Sequence, residues 1–114
     1  MKIPVANPDF SAFVQRAKDL NPEAIYVWLP GGAQPGAFGK AMLERGIRAT
    51  QTKVFGQVEI TDPNARKAMG EAALGFIVSS HYDAAHKSAS NVDFVKAYVA
   101  DYNRLPDYFS MGAW

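Results

Sequence analysis

Apolar and polar positions along this chain change period several times, and each change marks an element. Phe10, Phe13, Val14, Ala17 and Leu20 recur at the i, i+3, i+4, i+7 spacing that lines one face of a helix. Asn7 and Pro8 precede them as a capping side chain and a proline whose missing N–H costs nothing at the first helical position. "LNPEA" ends that helix, because a residue before proline avoids the helical region. Ala24 to Leu29, "AIYVWL", is a continuous apolar run without two-residue alternation, which predicts a strand buried on both faces and central in its sheet. A second helix starts near Gln34 or Pro35 and turns Phe38, Ala41 and Met42 inward. It stops at Gly46, with Ile47 as the apolar clasp of a left-handed terminator.

"KVFGQVEI" reads as the next strand, and Thr61 or Asp62 before Pro63 repeats the capping pattern for a short helix. "GFIVSS" is a further strand, "HYDAAHKSAS" a polar connection, and "NVDFVKAYVADYN" a last helix with Val92, Val95, Val99 and Tyr102 on one side. Strands alternating with helices in this way predict an α/β fold, a three-layer Rossmann-like lobe whose mainly parallel sheet has about four strands.

Composition narrows the function classes. At 114 residues and 48% apolar, the chain can close one ordinary core. Twelve Lys and Arg against eleven Asp and Glu, mixed along the chain, leave no basic block for phosphates, so nucleic acid is not an expected partner. The absence of cysteine excludes disulfides, thiolate chemistry and Cys-based zinc sites. The longest clearly apolar stretch falls far short of the roughly 20 residues a membrane helix needs. "MKIPVANPDF" lacks the apolar centre of a secretory signal.

Candidate chemistry gathers where strands end. Gly31 and Gly32 lie between a strand and a helix, and Gly36, Gly39 and Lys40 follow. A dinucleotide fingerprint would need glycine where Gln34 stands, and a P-loop would need Ser or Thr where Ala41 stands, so neither nucleotide reading holds. What remains is a flexible turn leading to a helix N-terminus, at the sheet edge where open α/β folds bind ligands. The "GQVEITD" turn should open on the same edge. There Glu59 is a candidate acceptor for a ligand amine or hydroxyl, and Asp62 is either a second one or the helix cap. His81 and His86 would diverge on a helix and have no strong third ligand nearby, so no metal is expected. His81 and Tyr82, directly after a strand, suit ring contacts or hydrogen bonds to a ligand, or simply pack in the connection. No G-x-S-x-G elbow or other catalytic constellation is present, and neither an enzyme nor a cofactor is expected.

Taken in order, "NPDFSAFVQRAKDLNPEAIYVWLPGGAQPGAFGKAMLERGI", "KVFGQVEITD", "MGEAALGFIVSSHYD" and "NVDFVKAYVADYNRLPDYFSMGAW" resemble the type I periplasmic binding proteins of ABC importers. The nearest group within them is the branched-chain amino acid, amide and aromatic acid receptors. A pattern of the family is echoed by Asp62, Gly70, Ala73 and Gly75. The resemblance implies two α/β lobes that close on a small polar ligand such as an amino acid, amide or aromatic acid. It implies a periplasmic location and a membrane permease as partner. This chain would be a partial one: residues 1–80 an α/β lobe resembling the second, and residues 81–114 a crossover connection and a helix of the other lobe.

The same resemblance puts ligand contacts at Gly31, Gly32, Ala33 and Gln34, at Gln57, Val58 and Glu59, and at His81 and Tyr82. The acidic residue that grips an amine in the amino acid receptors falls one position away, at Glu59. A flavodoxin-like enzyme or regulatory domain, and a structural module associating through the aromatic C-terminal segment, are the alternatives. A helix built for an absent lobe would seek another surface, so a homo-oligomer through the segment after His81 is also expected.

Overall fold

The first helix begins at Phe10, where the Asp9 carboxylate accepts the backbone N–H of Ser11 at 3.0 Å. In the computed structural model, which describes residues 1–6 and 8–113, α1 spans Phe10–Asp19. The expected start is corrected: Pro8 precedes the helix and Asp9 supplies its cap. The cap expected of Asn7, like the end of the aromatic segment at Trp114, lies outside the described residues. Phe10 and Val14 are buried, whereas Leu20 is exposed because the helix has already ended there.

The chain divides into two units, Met1–Ser79 and Ser80–Trp114. In the first, β1 (Ala24–Val27), β2 (Lys53–Gln57) and β3 (Phe76–Ser79) form a parallel sheet in the order β1-β2-β3. Ile25 pairs with Val54, and Val54 with Phe76. Helices α2 (Ala33–Glu44) and α3 (Pro63–Met69) connect successive strands, giving the α/β alternation the sequence predicts. Among the described residues there are three strands where about four were expected.

The central strand is β2, and β1 lies at the edge, which corrects its expected place. The run "AIYVWL" does alternate, but both of its faces are apolar and so the alternation was hidden. Val27 and Leu29 are buried, while Tyr26 and Trp28, on the opposite face, are 71% and 67% exposed. The buried side joins Val54 of β2, Phe10 and Val14 of α1, and Phe38, Ala41 and Met42 of α2 in one core. Phe10 and Phe38 meet edge to face with centroids 5.8 Å apart.

Helix α2 ends as its sequence predicts. Gly46 has φ 72°, its N–H donates to Leu43 O at 3.0 Å, and the N–H of Ile47 donates to Met42 O at 2.9 Å. This double bond with a buried Ile47 is the Schellman termination. Strand β2 stops at Gln57, earlier than expected, because the chain turns into a short 3-10 segment, Val58–Thr61, and drives Ile60 fully into the core. A Cβ on Gly56 would meet the Ile60 Cδ1 methyl and lie 3.0 Å from Val27 O. Only a glycine lets the strand pass beneath that side chain. Asp62 then caps α3, accepting from Asn64 N at 2.7 Å and Ala65 N at 2.9 Å.

In the second unit, α4 (Ala89–Tyr102) is followed by a further helix, α5 (Tyr108–Gly112), so α4 is not the last. Its inward residues are Asn91 and Phe94, with Tyr98 half-buried; Val92, Val99 and Tyr102, expected on the packed side, are exposed. Asn91 explains the difference. Its amide donates to His86 O at 2.7 Å and Ala84 O at 3.1 Å and fastens the polar connection onto the helix. A polar residue buried for its hydrogen bonds is invisible to an apolar-periodicity count.

Asp107 begins α5 by accepting from the Ser110 N–H at 2.8 Å and the Ser110 hydroxyl at 2.7 Å. These bonds, the backbone one foremost, hold its carboxyl below the usual range. A depressed carboxyl stabilises the fold fully above its unfolded value, about 3.9, and that contribution is lost as pH falls through the lower folded value. The Ser110 amide resonance is therefore expected to hold steady from neutral pH to about pH 5 and to move only in stronger acid. Asp107→Ala should loosen α5 at neutral pH by about 1 kcal/mol. An unmoved Ser110 amide in that variant would remove the cap from the account.

Candidate functional site

The carboxyl ends of β1 and β2 bring two turns together. After β1 the chain runs through Leu29 and Pro30 to Gly31 and Gly32. Gly32 has φ 92° and supplies no side-chain cap to α2. The first N–H groups of such a helix have no intrahelical acceptor and carry its positive dipole end. Strand β2 ends on Gln57, and Val58 and Glu59 follow it. The Gln57 side chain ties the turns together by donating from Nε2 to Leu29 O at 2.6 Å. A Cβ placed on Gly31 would lie 3.9 Å from Glu59 Cβ and Cγ and 3.9 Å from Asp62 Oδ2.

Two oxygens in this corner stand out. Gln57 Oε1 and Glu59 Oε2 are both buried and have no hydrogen-bond partner. Both are acceptors, and an unmatched buried acceptor costs about 1–3 kcal/mol unless a donor reaches it. The Asp62 Oδ1 atom is already committed to the α3 cap. The corner therefore presents acceptors and negative charge beside the N-terminus of α2.

The other expected contacts are placed as follows. Ala33 is exposed as the first residue of α2, and Val58 is half-buried between Gln57 and Glu59. Gln34 points elsewhere than the corner: its Nε2 donates to Val5 O at 2.6 Å. It borders an open hollow of about 550 Å³, with Lys2, Val5, Trp28, Leu29 and Pro30 among its walls. Trp28 was missed as a candidate because it was assigned to a buried strand; an aromatic at an alternating position just before a glycine turn was the available signal.

His81 and Tyr82 belong to the second unit, and each ring is engaged there. His81 lies edge to face with Tyr108, centroids 6.0 Å apart, and its Nε2 is 3.3 Å from Tyr108 O. Tyr82 lies edge to face with Phe94 at 6.2 Å, the first contact of an aromatic run that continues through Tyr98 to Tyr102. Burial, and after it the neighbouring Asp83 carboxylate, push the Tyr82 hydroxyl above the usual phenol range.

A parallel α/β lobe with its glycine and acidic turns gathered at the carboxyl ends of its strands is the class that fold and corner define. The chain belongs to the periplasmic binding protein family, whose family model, described as "Periplasmic binding protein", matches residues 1–114.

Among curated relatives, it is 32% identical over 96 residues to Leu/Ile/Val-binding protein homolog 6 of Brucella abortus (strain 2308), covering 84% of this chain and 25% of that protein. Among solved structures, it is similar to a solute binding protein of an ABC transporter from Rhodopseudomonas palustris BisB5, in complex with 3,4-dihydroxybenzoic acid. That likeness has a TM-score of 0.78 and 42% identity, and covers 98% of this chain and 31% of the other. A second R. palustris solute binding protein, in complex with 4-hydroxybenzoate, has a TM-score of 0.81 at 25% identity over 91% of this chain and 28% of its own. A leucine binding protein from Thermotoga maritima MSB8 has a TM-score of 0.64 at 25% identity, over 86% and 27%. The chain thus spans about a quarter of the length of the curated relatives it matches. No helix among the described residues is long and apolar enough to cross a membrane.

Proposed function

We infer that this chain supplies the ligand-facing edge of one lobe of a solute-binding receptor of an ABC importer, the second lobe in the order of the family. It binds without catalysing, works in the periplasm, and delivers its ligand to a membrane permease. The observation that carries the reading is the corner where Gly31 meets Glu59, at the carboxyl ends of parallel strands, with two buried acceptors unmatched. Its ligand contacts are Gly31, Gly32 and Ala33 with Gln57, Val58 and Glu59, and Gln34 once its bond to Val5 is exchanged.

An aromatic hydroxy acid is the ligand class best supported, because the 42% identical structure that matches nearly the whole chain holds 3,4-dihydroxybenzoic acid. Binding proteins recur in every comparison, which favours this reading over a flavodoxin-like enzyme. Residues 81–114, as part of the other lobe, and His81 and Tyr82, as ring contacts, are a separate proposal of the second unit. A homo-oligomer through α4 is another, with the exposure of Val92 and Tyr102 as its support.

Titration of the isotopically labelled chain by NMR tests the reading. The expected result is that 3,4-dihydroxybenzoate shifts the amides of Gly31, Gly32, Val58 and Glu59 with a dissociation constant of roughly 1 mM, weak because one lobe buries only part of a ligand. Leucine should bind more weakly. Movement of the His81 and Tyr82 resonances in the same titration reads the second proposal. If neither aromatic acid nor leucine shifts the Gly31 and Glu59 amides, the site is wrong.

A further inference from the structure

We propose that the face of the sheet turned away from the helices is a surface on which two copies of this chain associate, stacked sheet on sheet about a two-fold axis along β2. The inference stands apart from the receptor reading and from an oligomer through α4.

The sheet order explains why that face is bare. Strands β1, β2 and β3 follow one another without reversal, and right-handed crossovers then carry both connecting helices to the same side. Helices α2 and α3 do lie against each other: a Cβ on Gly39 would stand 3.0 Å from Met69 Cγ. Phe10 and Val14 of α1 join Phe38 and Met42 of α2 over Val54 in the core on that side. On the opposite side the register sets Tyr26, Phe55 and Ile77 in one row. Trp28, two residues beyond Tyr26, begins a second row with Gln57 and Ser79. Tyr26, Trp28 and Ile77 are 71%, 67% and 48% exposed. Parallel sheets occur almost only with both faces covered, so this one calls for a cover.

Three features point to a second copy. The first is area: the three exposed side chains leave on the order of 400 Å² bare, with a whole aromatic side chain presenting about 150–250 Å². Each partner in a standard interface gives up about 800 Å², of which about 500 Å² is apolar in homodimers. The bare side chains, with half-buried Phe55 between them, approach that apolar share. The second is charge. Neither row contains Asp, Glu, Lys or Arg, so stacking the face on itself opposes no like charges; Lys53, one row earlier, falls at the rim. The third is shape. The large side chains stand on β1 and the smaller ones on β3. A two-fold axis along β2 lays β1 of one copy over β3 of the other, which sets Tyr26 against Ile77 and Trp28 against Ser79. Large residues then meet small ones twice, with strand directions aligned as stacked sheets prefer.

Sedimentation of the full 114-residue chain tests the proposal. A dimer is expected with a dissociation constant on the order of 10 μM, and the Trp28 indole resonance should move as it forms. Ile77→Glu and Tyr26→Lys each put a charge into the patch and should each raise that constant at least about tenfold. Both positions are exposed, so the amide spectra of the dilute variants should overlay that of the unaltered chain. An equimolar mixture of the two variants reads the axis. With β1 over β3, the new charges of the two chains meet as an opposite pair while the other contact keeps Tyr26 on Ile77. The mixture should therefore dimerise at least about tenfold better than either variant alone. A chain that stays monomeric at high micromolar concentration overturns the proposal. So does a dimer that forms without moving the Trp28 indole, a readout on the unaltered chain that decides even where a variant fails to fold, or one that Val99→Asp on α4 dissolves and Ile77→Glu does not. A mixture no better than its components overturns the axis along β2.

Discussion

Gly75→Ala is expected to destabilise the first unit by about 3 kcal/mol or more. Gly75 has φ 89°, a conformation that side-chain-bearing residues rarely adopt. A Cβ there would lie 2.7 Å from Ala49 C and Thr50 N and 2.8 Å from Ala49 O. All of these are main-chain atoms, so no rotamer change relieves the contact. The segment cannot retreat easily either, because Ala49 is itself part of the core. Backbone strain and overpacking therefore add, and β3, which begins at Phe76, would lose its entry into the sheet. A urea denaturation series should show a much lower midpoint for the variant with little change in slope. A midpoint equal to that of the unaltered chain would mean that the close approach at Ala49 does not exist.

The second large effect joins Gly56 and Ile60 and should appear as a coupling. Gly56→Ala sets a methyl against the Ile60 Cδ1 atom and 3.0 Å from Val27 O, for an expected loss of about 2–3 kcal/mol. Ile60→Val alone should cost about 1 kcal/mol, since Ile60 is fully buried and the change removes one methyl from the core. That methyl is the one in the way of the alanine. The double variant should therefore be more stable than the sum of the two losses, by about 1 kcal/mol. Additive losses would show that the strand and the 3-10 segment do not press on each other. Glu59 precedes Ile60, so the same pair also aims the acidic turn: loosening Ile60 should broaden the Glu59 amide resonance before it unfolds the unit.

The elements that the sequence announced share a trait, which is that their signals are local. Gly46 and Ile47 end α2 through bonds to Leu43 and Met42, one turn away, and Asp62 caps α3 through its next neighbours; both are legible because the interacting groups are close in the chain. The place of β1 was not legible. Its apolar run fits a buried strand equally well, and whether Tyr26 and Trp28 are covered depends on elements far along the chain. The shortening of β2 was hidden for a similar reason, because Gly56 gains its meaning only when Ile60 folds back over it. The strand-end rule found Gly31 and Glu59 because carboxyl ends of parallel strands share one edge. It could not reveal that Gln34 would turn to Val5, or that Asn91 would be buried to hold His86 and Ala84.

The sheet order β1-β2-β3, with a helix inserted before each new strand, sets how the first unit can assemble in time. No two neighbouring strands can close as a hairpin; each pairing must wait until a whole helix and its turns have been gathered, at an entropic cost that local contacts do not carry. The terminator of α2 and the cap of α3 need no such gathering and can form within single turns. The helices are therefore expected to condense before the strands register, with β2 as the strand on which both pairings converge. Gly56 lies in that strand, so alanine there should slow folding, whereas changes at the open face around Tyr26 should act mainly on unfolding.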